Sequence, residues 1–280
     1  MTGGVDDRAE FTAVAMFARN ADTRSALAGA VRRRGLDLIE VTADAQSLLQ
    51  VVAPDVAVRV PGGLAASALR AGAPLALHGP TPEWFAGLDP ALGRRWQLVD
   101  ADGAHALLED GLAFVKLADA KHQHFPAARF TTPPAFEEAV TRLGAGRGVQ
   151  LLLTREWWDI ESEYRVFTAG RAVLTVSPYR VLDEPWSPLL HTSRASFHRE
   201  ADGFVAELLA GLSEGDVPPA AVLDVARLAS GRIVLLEANQ AWGSGLYGCD
   251  PDLALDAILA TNAPCSDRWR WRPDPLVSYP

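Results

Sequence analysis

Over the first eighty residues, short runs of consecutive apolar positions alternate with amphipathic stretches, a rhythm that predicts a small parallel α/β unit. Phe11–Ala18, Leu36–Val41 and Asp55–Val60 read as buried strands. Thr23–Arg34, with Asp22 as its N-cap, and Ala45–Val52 read as the intervening helices, and Leu64–Ala71 as a third. The last of these strands ends in Pro61-Gly62-Gly63, and an apolar segment, Pro74–Leu77, follows the third helix. No G-x-G-x-x-G follows a strand here, which argues against a dinucleotide site. The stretch His78–Asp102 is rich in Pro, Gly and Trp and reads as a connection to a second unit.

From Ala113 the pattern shifts to paired strands. Phe114–Lys116 and Ala128–Thr131 read as strands, then Pro133–Leu143 as a helix with prolines in its first turn. Val149–Thr154 is strongly apolar. Tyr164–Phe167 and Ala172–Val176 read as neighbours across Ala169-Gly170-Arg171, and Phe204–Leu212 as a helix. Ala221–Ala226 and Arg232–Glu237 form a hairpin across Ala229-Ser230-Gly231, and Asp252–Ala260 a final helix. The fold class is therefore α/β (α+β), with no internal repeat.

Composition narrows the function classes. A net charge of −9 disfavours non-specific binding to nucleic acid or to an anionic membrane. The clusters Arg32-Arg33-Arg34 and Arg268/Arg270/Arg272 are small enough to read as solvated charge. Asp6, Asp7 and Glu10 stand where a signal peptide carries positive charge, and no apolar run is long enough to span a bilayer, so a cytoplasmic location is expected. Cys249 and Cys265 have no metal-ligand spacing and read as reduced thiols.

Among 26 basic residues only two are lysines, Lys116 and Lys121, and they lie five positions apart. Chance clustering accounts for such a pair at about even odds; the functional alternative uses Lys as a compact point charge that reaches phosphate oxygens. The hairpin supplies a more specific signal. Glu237 and Asn239 are two apart on a strand and share a face, and Asp224 on the partner strand can turn to the same side. Both carboxylates sit inside apolar runs, where an unpaired charge is costly. Two carboxylates and an amide oxygen make an all-oxygen site suited to Mg²⁺ with substrate phosphates.

On these residues the chain resembles the ATP-grasp superfamily, whose nucleotide site ends with an Asp on one strand and Glu-x-Asn on the next. Asp224 and Glu237-Ala-Asn239 match that pattern. Lys116/Lys121, Glu163-Tyr-Arg165 and Glu237-Ala-Asn-Gln-Ala-Trp-Gly-Ser-Gly-Leu-Tyr247 narrow the resemblance to a divergent clade named for one arginine and two lysines. It covers roughly residues 114–250. The resemblance implies an ATP-grasp domain over 86–280, a pre-ATP-grasp domain over 1–85, and ATP with two Mg²⁺ ions held by Asp224, Glu237 and Asn239. Lys116 and Lys121 would contact the α- and β-phosphates. Residues 151–158 fall at the adenine hinge, with Leu153, Thr154, Glu156, Trp157 and Glu163 as nucleotide contacts. Arg165 would neutralise the γ-phosphate or acyl phosphate, and Arg180 would grip a substrate carboxylate. A homodimer is an expectation of the superfamily.

Two departures stand out. Many peptide-ligating members have a basic residue two positions before the metal Asp, and here that position is Val222, leaving Arg165 to take over its role. The usual glycine-rich flap is replaced by Asp119–Phe125, with His122 and His124. The loop Trp242–Tyr247 carries two glycines, which permit positive φ and close backbone approach. The segment 179–199 is the candidate for a variable substrate lid. The implied activity is ATP-dependent ligation of a small-molecule carboxylate and amine; a small-molecule kinase and a non-catalytic nucleotide-binding module are the alternatives.

Overall fold

The computed structural model describes residues 10–90, 92–181, 184–185 and 195–277. Most of the expected lid, 182–183 and 186–194, lies outside the described residues.

The N-terminal unit is a parallel sheet of β1 (Ala13–Met16), β2 (Asp37–Glu40) and β3 (Val56–Arg59) in the order β2-β1-β3. Helices α1 (Ala21–Arg33), α2 (Ala45–Leu49) and α3 (Gly62–Arg70) connect and flank the strands. Asn20, not Asp22, caps α1, accepting from the Thr23 amide at 2.8 Å. Asn20 has the extended backbone an N-cap needs, whereas Asp22 already lies in the first turn.

The expected connection contains structure of its own: α4 (Pro82–Ala86), β4 (Gln97–Val99) and the start of α5 (Ala101–Glu109). β4 joins β5 (Ala113–Leu117), β6 (Ala128–Phe130) and β7 (Leu151–Thr154) in an antiparallel sheet ordered β4-β7-β5-β6. Helix α6 (Pro133–Leu143) buries Phe136, Ala139, Val140 and Leu143 and stops at Gly144, whose φ of 69° suits a left-handed cap.

The third sheet holds β8 (Ile160–Ala169), β9 (Ala172–Val181), β10 (Glu184–Pro185), β11 (Ala220–Leu228) and β12 (Ile233–Asn239), ordered β10-β9-β8-β11-β12 and antiparallel throughout. Helix α7 (Ala195–Gly211) packs on one face. Beyond β12 the chain segment at Gly93 continues the sheet as a parallel bridge, and the Leu235 amide donates to the Leu92 carbonyl at 2.8 Å. A Cβ at Gly93 would stand 2.8 Å from the Leu235 oxygen, so only glycine allows this approach.

Helix α8 (Pro251–Asn262), capped by the Asp250 carboxylate, returns to the N-terminal sheet. Its Ala254, Leu255, Ala257 and Ile258 share one apolar core with Val14, Val31, Val58, Trp242 and Trp271. Arg33 and Arg34 bridge to Asp252 and Asp256 across that contact. No described helix is long and apolar enough to cross a membrane.

Candidate active site

The register of β8, β11 and β12 sets three side chains in one row across the sheet: Arg165 opposite Asp224, and Asp224 opposite Glu237. Asn239 lies two residues beyond Glu237, opposite Val222. The Arg165 fork donates from Nε to Asp224 Oδ1 at 2.9 Å and from Nη2 to Oδ2 at 2.7 Å, while Nη1 donates to the Gly245 carbonyl at 3.0 Å. Asn239 Nδ2 donates to Asp224 Oδ2 at 3.1 Å and to Glu237 Oε2 at 3.3 Å. From β5 of the other antiparallel sheet, Lys116 Nζ donates to Glu237 Oε1 at 2.8 Å. Lys121 Nζ stands 3.6 Å from Glu237 Oε2, its side chain 79% exposed. Two sheets and the loop after β5 thus bring Lys116, Lys121, Arg165, Asp224, Glu237 and Asn239 together.

The electrostatics follow from burial set against pairing. Asp224 is 1% exposed, and burial pushes its carboxyl up while Arg165 opposes the shift. Burial works against the Arg165 charge, but Asp224 outweighs it and holds the guanidinium above its ordinary range. At Glu237 burial again pushes upward; Lys116 and Lys121 prevail and keep the carboxyl well below the usual range. Val222, where a basic residue was the family expectation, is fully buried in the core beneath the N-terminal sheet.

Glu163 and Arg165 share a face but do not pair. Glu163 Oε1 accepts from Arg180 Nη1 at 2.9 Å and Oε2 accepts from the Tyr179 hydroxyl, because Arg180 is the cross-strand neighbour of Glu163 on β9. Burial, with Asp224 and Glu163, pushes the Tyr179 hydroxyl up, so it stays a donor. Tyr179 stacks on Tyr247 with ring centroids 5.1 Å apart, and the Arg165 guanidinium lies 5.6 and 4.9 Å from the two rings. In the loop after β12 the positive φ falls on Tyr247, at 53°, and not on Gly243 or Gly245. A Cβ at Gly243 would lie 3.7 Å from the Val60 carbonyl, and one at Gly245 3.8 Å from Arg165 Nη1, ordinary contact distances, so neither position requires glycine.

The expected adenine contacts lie on and beyond β7, whose Leu152 stands opposite Lys116 and lines the same cleft. Leu153 is buried in the core of its sheet, and β7 is paired on both edges, by β4 and β5. Thr154 is buried and its hydroxyl accepts from the Glu156 amide at 3.2 Å. Glu156 Oε1 accepts from the Arg95 amide at 3.1 Å. Trp157 is exposed, with Phe114 6.1 Å from its ring and the Arg129 guanidinium 4.9 Å from it. His122 and His124 make a ring contact with each other at 5.2 Å.

Lys116, Lys121, Arg165, Glu237 and Asn239 line a cleft of about 330 Å³, within the range of small-molecule sites. Sequence reasoning missed part of its wall: Arg19, Gly62, Gly63, Thr81 and Phe85. Pro-Gly-Gly at a strand's carboxyl end was the available signal. Lys116 Nζ lies 5.5 Å from the Phe85 ring and 5.4 Å from that of Trp96, which fixes the ammonium over apolar surface.

Among the described residues no three His, Cys, Asp or Glu side chains form a metal cluster. The available donor set is two carboxylates and one amide, already within 3.3 Å of one another through Asn239. A hard, oxygen-liganded cation fits that set, once Lys116 gives up Glu237 and the Asn239 amide presents its oxygen.

The family model for the ATP-grasp domain of the one-arginine, two-lysine clade, family 2, matches residues 92–257, more than half of the chain. The chain belongs to this ATP-grasp family. Among solved structures, D-cycloserine synthetase DcsG is similar with a TM-score of 0.55 and 16% identity, over 89% of this chain and 98% of that one. Carboxyaminoimidazole ribonucleotide synthase from Aspergillus clavatus, complexed with ATP, matches with a TM-score of 0.54 and 12% identity, over 91% and 79%. N5-carboxyaminoimidazole synthetase from Staphylococcus aureus matches at 0.52 and 10% identity, over 92% and 80%. At these identities the likeness is one of fold. No curated protein matches the sequence.

Proposed function

We propose that this ATP-grasp protein is an ATP-dependent carboxylate–amine ligase, with residues 1–85 as its pre-ATP-grasp domain and 86–280 as its ATP-grasp domain. What supports this most is one observation: two lysines, an arginine, a carboxylate and an amide line one cleft, with the Asp224 carboxylate buried behind them on the Arg165 fork and every charge paired. Metal-bound triphosphate carries the opposite charges to each group and can take the place of these internal pairs.

In the proposed reaction a substrate carboxylate attacks the γ-phosphorus, forming an acyl phosphate and releasing ADP. An amine then attacks the acyl carbon and displaces phosphate, leaving an amide and giving up its proton. Lys116 and Lys121 turn from Glu237 to phosphate oxygens. Asp224, Glu237 and Asn239 would hold Mg²⁺, which would supply charge neutralisation on the phosphates. Arg165 keeps Asp224 oriented through its fork and contributes its charge to the same end of the cleft. Positioning and charge neutralisation suffice for such a transfer, and no nucleophilic side chain is required. We place the purine against residues 155–158, beyond the end of β7, where Glu156 and Trp157 are exposed; Arg180 and Glu163 border the substrate end.

The test is incubation of the purified protein with Mg²⁺-ATP and pooled amino acids, scoring ADP, phosphate and new amides by mass. Amide formed in step with ADP and phosphate is expected. AMP with pyrophosphate contradicts the acyl-phosphate route; phosphorylated alcohol with no amide makes the protein a kinase; nucleotide binding without turnover makes it a binding module.

A further inference from the structure

β1 is the middle strand of the N-terminal sheet, with β2 on one side and β3 on the other. The chain therefore reverses its direction of winding between β1 and β3, and open parallel sheets leave a ligand crevice beyond the carboxyl ends of such a pair. Residues just past those ends, Arg19 after β1 and Pro61-Gly62-Gly63 after β3, line the same cleft as Lys116 and Asn239.

Arg59, the last residue of β3, lies opposite Met16 of β1. It is 4% exposed. Its Nη1 donates to the Phe17 carbonyl at 3.0 Å and its Nη2 to the Ser244 carbonyl at 2.7 Å, while Nε meets no acceptor. Both partners are neutral, and no carboxylate pairs with it among the described residues. Burial lowers its pKa to about 10, which leaves the guanidinium charged at neutral pH. A buried cation lacking a counter-ion is costly. Arg165, the buried guanidinium that lines the cleft, has Asp224 as its counter-ion.

Helix α3 begins at this point. It has no side-chain cap and no acidic residue in its first turn, and the Gly62 and Gly63 amides meet no acceptor among the described residues. Such an end presents N–H groups and a positive dipole to an anion. Trp242, 1% exposed, lines the cleft, and its indole N–H also meets no acceptor. The next residue packs against the helix start: a Cβ at Gly243 would lie 3.9 Å from the Gly62 nitrogen.

We propose that this crevice seats an oxyanion of the substrate, a carboxylate or a phosphate ester, held by the Gly62 and Gly63 amides and the Trp242 N–H over the Arg59 charge. Assigning the anion to a substrate rests on the ligase reading, in which the lysine end of the cleft takes the triphosphate. Anion binding itself needs no turnover and is tested apart from it.

Gly62 has open space at its missing Cβ and an ordinary φ, so both Gly62→Asp and Gly62→Ala fit the fold. A carboxylate in the first turn favours the helix while repelling an anion bound there. The full chain, saturated with Mg²⁺-ADP to occupy the lysine end, is titrated calorimetrically with inorganic phosphate and separately with acetate. Saturable binding is expected in the wild type and in Gly62→Ala, with affinity at least about tenfold weaker in Gly62→Asp. Saturation by acetate marks a carboxylate subsite, and saturation by phosphate a phosphate-ester subsite. Unchanged affinity in Gly62→Asp, or no saturable binding of either anion, overturns the proposal. Failure of Mg²⁺-ADP to bind overturns the ATP reading instead; the same titrations of the nucleotide-free chain then decide the crevice.

Discussion

Replacing Arg165 by Met removes both donors from Asp224, a carboxylate 1% exposed, and leaves it with the Asn239 amide alone as a side-chain donor. Breaking a buried bidentate pair from one side costs about 3–5 kcal/mol, because the remaining charge is uncompensated. With a urea slope of about 3 kcal/mol per molar for a chain of this size, the midpoint should fall by about 1–1.7 M. Asp224→Asn strands the guanidinium in the same way. The double variant Arg165→Met/Asp224→Asn removes both charges and should be more stable than the sum of the single losses by at least about 1.5 kcal/mol. Arg165→Lys should recover little, since an ammonium cannot form the fork. Urea unfolding followed by circular dichroism gives all four values. A single-variant loss below about 1 kcal/mol, the range of exposed ion pairs, or strict additivity in the cycle, would refute the claim that Arg165 braces Asp224.

Three further outcomes follow from the same geometry. Lys116 is held over two aromatic rings at 2.8 Å from Glu237, whereas Lys121 is largely exposed; Lys116→Ala should weaken ATP binding about tenfold or more and Lys121→Ala only a few-fold, and the reverse order in a fluorescence titration would mean that the 119–125 segment, and not the end of β5, carries the main phosphate contact. Glu237→Gln keeps an acceptor for Lys116 and should retain the fold by circular dichroism while abolishing Mg²⁺-dependent turnover; full activity would remove Glu237 from the metal set. Cys249 is buried with its thiol pushed up to about 12, and Cys265 is exposed. A thiol reagent at pH 8 should therefore modify one cysteine in the native protein and two in urea. An unfolded thiol ionises near about 8.5. The folded state then binds more protons than the unfolded state above that pH, so this group makes stability fall as pH rises toward 12, and Cys249→Ala should flatten the slope.

The β11–β12 hairpin was legible because its signals are local. Apolar runs, a Ser-Gly turn and the spacing of Glu237 and Asn239 all lie within about twenty residues. The parallel order of the first unit was legible for the same reason. What escaped depends on partners distant in the chain. Arg165 meets Asp224 across 59 positions only because β8 is inserted between β9 and β11. Arg59 reaches the Ser244 carbonyl 185 positions away, through a core shared with α8. β4 is three residues long, too short for a periodic signal, and is held by pairing with β7. The strained backbone at Tyr247 is stabilised by its stack on Tyr179, a contact between the loop after β12 and strand β9 that no local pattern encodes.

The central claim is that a substrate carboxylate becomes an acyl phosphate. Once the amino-acid pool has identified a turned-over carboxylate, that compound is supplied with ¹⁸O in its carboxyl group, together with Mg²⁺-ATP and amine, and the released phosphate is weighed by mass spectrometry. Transfer of one ¹⁸O atom to phosphate for each amide formed is the predicted result. Amide formation with phosphate free of label would contradict it.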